Sequence, residues 1–329
     1  MKILVPDGGR AITWSLLLMA IFVVPAPLPA SGARQPLTAQ QVDGLVRGGV
    51  SGQRIVQLVR ARGINFQVTP AFLKALQEDG ATKALLTELL QAVPKTALKD
   101  AAVSTRWLEA QEYRARGKAL LDRELWDKAE TELRRSIQLN TTDAAAHFYL
   151  GRALTAQGKL DKAIAEYRQA ILLSPDTTPA RFNLGNDLLK KSDWAGAAEQ
   201  YREALKVSPQ DPKSHYALGI ALYGEHDDSG AAAELQKSLE LDPSSAETHV
   251  ALGLALAEGN DVDGAIREYR SALKINPRDA VVHADLASAL VRKGNGQEAL
   301  NELRAAIALA PADARYHASY NELVKQVKH

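Results

Sequence analysis

Five of the seven histidines, His147, His215, His249, His283 and His317, are separated by multiples of 34 residues. Imidazole is the side chain most often used for proton transfer near neutral pH and for metal ligation. Ligands of one metal ion must sit about 2 Å from it. Histidines that recur once per structural unit are instead set about 10 Å apart by the packing of successive helices. The spacing therefore excludes a shared metal site and reads as a half-buried packing position. His226, in Glu225-His226-Asp227-Asp228, reads as a solvated turn residue. The carboxylates Glu199, Glu203 and Glu234 each precede a basic residue by three positions (Arg202, Lys206 and Lys237) and read as solvating i, i+3 pairs on an exposed helix face. There is no phosphate-cradling glycine loop, no Gly-x-Ser-x-Gly and no His-Glu-x-x-His. The chain has no cysteine, which removes disulfides, thiolate ligands, a cysteine nucleophile and a lipidated cysteine. The expectation is a protein with no catalytic residues, no metal and no cofactor. Lys plus Arg is 40 against 39 for Asp plus Glu, so no basic field is available for nucleic acid.

The histidine spacing belongs to a wider pattern. Written in rows of 34 from Ala110, the sequence aligns without insertion through Asp313. Column 8 reads Gly117, Gly151, Gly185, Gly219, Gly253 and Ala287; column 20 reads Ala129, Ala163, Ala197, Ala231, Ala265 and Ala299. Column 32 reads Thr141, Pro175, Pro209, Pro243, Pro277 and Pro311. Columns 4, 7, 8 and 11 share one helix face, as in His147, Leu150, Gly151 and Leu154. Columns 20, 24 and 27 share another, as in Ala163, Tyr167 and Ala170. Between them a turn such as Gln157-Gly158-Lys159 calls for a left-handed glycine, and proline at column 32 is expected to end the second helix. Small residues at column 8 leave room for close approach. Each row is a helical hairpin that buries its apolar face only by stacking on its neighbours.

These columns closely resemble the tetratricopeptide repeat (TPR) family, with Gly at 8, Ala at 20, Tyr at 24 (Tyr167, Tyr201, Tyr269), Ala at 27 and Pro at 32. The first row departs from the pattern, with Arg116 in an apolar column and Thr141 in place of proline. The resemblance implies an all-α, right-handed TPR superhelix of six 34-residue hairpins over 110–313. Residues 314–329 are expected to form a capping helix with Tyr320 and Val324 in core columns.

The family lines its concave groove with columns 5, 9 and 12 of the first helices. Carried over column by column, these give Arg114, Lys118, Phe148, Arg152, Phe182, Asn186, Tyr216, Ile220, Tyr223, Val250 and Leu254, and the polar Asn183 and Lys213, at columns 6 and 2, complete the expected partner-binding set. Row one is cationic, rows two to four mix aromatics with amides, and rows four and five are apolar. That gradient suits a peptide with an apolar stretch and an acidic end. The five-residue clamp by which some members hold two carboxylates falls on Phe148, Arg152, Asn183, Lys213 and Ala217, and only Asn183 and Lys213 match it. The asparagine ladder of other members is represented by Asn183 alone.

Ahead of the repeats, Lys2 and Arg10 precede an apolar run, Ala11 to Val24, then Pro25, Pro27, Pro29 and the small residues Ala30 to Ala33. This is the order of a secretory signal, residues 1–33, cleaved near Ala30–Ala33. Fourteen helical residues span about 21 Å, short of a hydrocarbon core of about 30 Å. A retained inner-membrane anchor is the alternative. Thr38, Ser51, Thr69-Pro70 and Thr82 cap four expected short helices in a small module, 34–94, where the 34-residue period is absent. Residues 95–109 form a link, helical or loose. The sequence thus describes a non-enzymatic, bacterial-type exported scaffold, periplasmic or secreted, that binds a protein or peptide partner. A membrane-anchored assembly factor, a non-catalytic enzyme subunit and self-association stay open beside it.

Overall fold

A computed structural model describes residues 35–92 and 98–327. The expected leader at 1–33, the end of the 34–94 module and the start of the 95–109 link lie outside the described residues. The chain divides into two compact units between Leu98 and Lys99.

The first unit holds α1 (Ala39–Arg47), α2 (Gly52–Arg62), α3 (Pro70–Glu78) and α4 (Lys83–Gln91). Each begins where a capping side chain was expected. The Thr38, Ser51, Thr69 and Thr82 hydroxyls accept from the backbone N–H groups of Gln41, Arg54, Phe72 and Leu85. Glycines in the left-handed region follow three of the helices: Gly49 (φ 72°), Gly63 (φ 71°) and Gly80 (φ 94°). Although the 34-residue period is absent here, a shorter one is present, with an offset of 31 residues. Leu37-Thr38 corresponds to Val68-Thr69, Val42 to Leu73, Gly49 to Gly80, Ser51 to Thr82 and Ile55 to Leu86. The two halves close their first helices alike. The Val50 N–H donates to Leu45 C=O at 3.1 Å, and the equivalent Ala81 N–H donates to Leu76 C=O at 2.8 Å. Val42, Ile55, Leu73, Leu76, Leu85 and Leu89 form the buried centre.

The second unit is six antiparallel hairpins. Their first helices are α5 (Leu98–Leu121), α7 (Ala144–Ala156), α9 (Thr178–Lys190), α11 (Pro212–Gly224), α13 (Ala246–Glu258) and α15 (Ala280–Arg292). Their second helices are α6 (Trp126–Leu139), α8 (Leu160–Leu173), α10 (Trp194–Val207), α12 (Asp228–Leu241), α14 (Val262–Ile275) and α16 (Gly296–Leu309). α17 (Ala314–Val327) closes the array. The link from Leu98 to Glu109 is helical, continuous with the first repeat. In the closing helix the buried residues are Tyr316 and Leu323, while Tyr320 and Val324, the expected core positions, are only half-buried. Among the described residues no helix is long and apolar enough to cross a membrane.

Two local expectations needed revision. Column 15 takes the left-handed conformation in every row: Glu124 (φ 59°), Gly158 (φ 74°), Ser192 (φ 59°), His226 (φ 64°), Asn260 (φ 67°) and Gly294 (φ 87°). Burial of both helices of the hairpin outweighs the local cost, about 1–2 kcal/mol for a residue with a Cβ. Proline at column 32 does not set where the second helix ends, because α6 stops at the same column as the others with Thr141 in that place.

Glycine at column 8 has a specific partner. A Cβ added to Gly151, Gly185 or Gly253 would lie 2.5, 2.6 and 2.6 Å from Cε1 of Tyr167, Tyr201 and Tyr269, the column-24 residues of the same hairpins. Leu133 and Leu235 fill the equivalent place beside Gly117 and Gly219, each at 2.5 Å. The missing side chain admits a large one from the facing helix, and the three tyrosines are all at most 2% exposed. Gly185→Leu is therefore expected to lower stability by about 3 kcal/mol through overpacking. Urea denaturation checks this, and a midpoint equal to the parent's would remove the packing assignment.

Candidate partner-binding groove

Four of the first helices are started by a side-chain cap, which fixes the register of the residues on each face. Asp143, Asp211, Ser245 and Asp279 accept from the N–H groups of Ala146, Ser214, Thr248 and Val282. Columns 5 and 9 then lie one turn apart on one face of each helix.

In the second repeat Phe148 is half-buried, with its ring 6.2 Å from that of Tyr167, and the exposed Arg152 guanidinium stands 6.0 Å from the Phe148 centroid. In the third, the Phe182 ring is 5.6 Å from Tyr201, whose hydroxyl donates to Asn186 Oδ1 at 2.6 Å. With its oxygen so engaged, the Asn186 amide NH2 is left as the donor. Asn183, one turn earlier, is half-buried. Tyr216, Ile220, Val250 and Leu254 come together around one cavity of about 300 Å³, with Val282 and Asp279 at its far side. A second cavity of about 300 Å³, lined by Lys213, Asp242, Ser245 and Glu247, shares Tyr216 and Glu247 with the first. Tyr223 packs half-buried against the core.

The cationic end of the expected set is arranged otherwise. Arg114 Nη1 lies 2.9 and 3.0 Å from the two carboxylate oxygens of Asp143, itself the cap of α7. Asp143 is buried, so Arg114 serves to join the first repeat to the second. Lys118 is exposed beside Asp122, at 3.5 Å. Arg114 is thus engaged within the fold, and Lys118 and Arg152 are the exposed cations of the expected set at this end.

Several groups in this wall are absent from the expected set. Asp187 is fully buried at column 10, where the other rows carry Ala119, Ala153, Ala221, Ala255 and Ala289. It accepts from the Thr155 hydroxyl and from Lys190 Nζ at 3.1 Å, while Thr155 lies 3.2 Å from the Tyr167 hydroxyl. Burial raises the Tyr167 and Tyr201 phenol pKa values well above the usual range, with the Asp187 charge adding to it. Asp242, Glu247 and Asp279 at the rim were likewise not singled out. A charged residue in a column of alanines was the available signal for Asp187; the rim carboxylates had none.

The histidines have partners nineteen residues on. Nδ1 of His147, His215, His249 and His283 lies 2.6, 2.7, 2.7 and 2.6 Å from Glu166, Glu234, Glu268 and Glu302 respectively. Where arginine replaces histidine, Arg181, the partner column holds Gln200. Glu234, expected to pair with Lys237 on an exposed face, is half-buried against His215 instead. Glu203 does pair with Lys206. His147 and His215 are buried, His249 and His283 half-buried and His317 exposed. The second nitrogen of His147 faces Thr141 C=O at 3.3 Å, that of His215 faces Pro209 C=O at 3.1 Å and that of His283 faces Pro277 C=O at 3.3 Å. Carboxylate and carbonyl only accept, so both contacts are hydrogen bonds only when both nitrogens carry hydrogen.

The Glu166 hydrogen bond raises the His147 pKa above its ordinary value, against an opposing desolvation. A raised folded value gives stability that is fully present below the unfolded value, near 6.5, and lost as pH rises through the folded one. The urea midpoint is expected to fall over that window in the parent and to change less in Glu166→Gln. Identical pH slopes in the two proteins would refute this linkage.

Models of the tetratricopeptide repeat match residues 182–246, 229–280 and 255–323, and a TPR repeat model matches 151–191. Together they run from 151 to 323, more than half of the chain. Among solved structures, YrrB, described as a TPR protein with an unusual peptide-binding site, is 23% identical over 57% of this chain and 97% of its own, with a TM-score of 0.52. PilF of Pseudomonas aeruginosa is 18% identical over 66% of this chain and 99% of its own, with a TM-score of 0.56. A tetratricopeptide repeat protein from Parabacteroides merdae is 16% identical over 67% of this chain and 87% of its own, also at 0.56. At these identities the likeness is one of fold. No curated protein matches the chain.

Proposed function

The chain belongs to the tetratricopeptide repeat family, and from that premise we propose that it is a non-catalytic scaffold whose concave wall holds an extended segment of a partner protein. Members of this family mediate protein–protein interactions. The observation that carries the finer reading is the uncovered apolar surface of Tyr216, Ile220, Val250 and Leu254 around a cavity of about 300 Å³. Apolar side chains gathered on an inner wall gain from burial by a guest. Upstream, the Asn186 amide is held by Tyr201 with its N–H groups available to a peptide carbonyl. That YrrB is described as having a peptide-binding site supports the same use of the fold.

The site of action we propose is outside the inner membrane, reached through a leader cleaved near Ala30–Ala33. Cell fractionation with N-terminal sequencing of the mature chain tests this; an intact Met1 in the membrane fraction would turn the leader into an anchor.

For the groove, the double variant Phe182→Ala and Tyr216→Ala is expected to reduce capture of partners from an envelope extract by about tenfold, as loss of two aromatic anchors does. Both rings are half-buried, so circular dichroism and cooperative melting establish that the array is still folded. Undiminished capture by the folded double variant would count against this wall.

A further inference from the structure

We infer that the groove of repeats four to six receives a segment carrying a lysine or arginine flanked by aliphatic or aromatic side chains. The inference rests on the groove reading above and adds the chemistry of the guest. The apolar part follows from Tyr216, Ile220, Val250 and Leu254. The charged part follows from the rim, where Asp242, Glu247 and Asp279 face the two cavities and, among the described residues, Lys213 is the one cation lining them.

These carboxylates are not equivalent. Asp279 caps α15, and Asp242 is held by the Ser244 N–H at 3.2 Å and the Ser244 hydroxyl at 2.7 Å. Glu247 is exposed, accepts from the Ser245 hydroxyl at 3.3 Å, and borders both cavities. Further along the wall the acids crowd one another. Burial, then the charge of Asp279, raises the Asp285 carboxyl pKa. Burial, then Glu258, Asp228 and Asp285, raises that of the Tyr223 phenol. Arg292 is turned to the Ala257 carbonyl at 2.7 Å and to Asn260 at 3.2 Å. The rim thus presents three carboxylates, of which Glu247 is exposed to a group entering either cavity. An ammonium or guanidinium entering beside Glu247 meets attraction, while neighbouring apolar side chains cover Val250 and Leu254. An acidic segment would meet repulsion there, which sets the specificity.

The full chain is screened against a displayed library of random peptides, and enriched sequences are synthesised with a fluorescent label for anisotropy titrations. Enriched peptides are expected to carry Lys or Arg beside apolar residues and to bind more weakly as salt rises. Glu247→Lys should weaken them by about tenfold, and a peptide with its Lys changed to Glu should regain affinity for that variant. Groove-dependent peptides, lost on Leu254→Ala, that are neutral or acidic or indifferent to Glu247→Lys would overturn the charge assignment and leave the groove standing. If no peptide depends on Leu254 or Tyr216, both readings fall. Self-association of the chain abolished by Glu247→Lys would make a second copy the occupant and overturn the inference of a foreign segment.

Discussion

The second unit depends on one steric arrangement, the seating of a column-24 side chain against a column-8 residue that has no side chain of its own. At Gly151, Gly185 and Gly253 the space that a Cβ would need is taken by a tyrosine ring. The two helices of a hairpin can therefore approach without a gap. Interiors tolerate little void or overlap, so this contact sets the spacing from which the next hairpin takes its register. In the sixth row Ala287 stands at column 8 and Leu303 at column 24, both buried in one apolar cluster. Nearby alanines at column 20 are fully buried in all six rows for the same reason of close approach.

That contact was half legible in the sequence. The 34-residue columns establish the hairpins, their turns and the glycine at column 8, but a column shows that a position is small without saying what fills the space. The same limit applies elsewhere. The histidine column was visible. Its glutamate partners lie nineteen residues on, on the facing helix, outside the three- and four-residue spacings by which helix partners are sought. The exchange of His and Glu for Arg181 and Gln200 in the third row was the clue. The 31-residue duplication of the first unit escaped because its two halves share caps and glycines more than core residues: Val42 answers to Leu73 and Ile55 to Leu86.

The groove shows the same division. Columns 5 and 9 were assigned to the inner wall from the family pattern, and Tyr216, Ile220, Val250 and Leu254 line one cavity. Charges were less readable, because a side chain's availability depends on what stands opposite. Arg114 occupies a groove column, yet the buried Asp143 holds it for the joint between two repeats. The acids that shape the downstream wall come from helix caps and first turns, positions whose local role is complete without reference to any guest. A residue chosen to start a helix thereby also decides the electrical character of the surface beside that start.

The tyrosines at column 24 reach further than the core they fill. Tyr201 ends on Asn186 and Tyr167 on Thr155, so the buried rings act as keystones while their hydroxyls hold half-buried side chains nearer the surface. In the second and third repeats, a change at Thr155 or Asn186 is thus felt by the side chains that keep the stack standing. The first, fourth and sixth repeats, with Leu133, Leu235 and Leu303 at that column, separate the two duties. There the first-helix side chains are free to diversify without loosening the array.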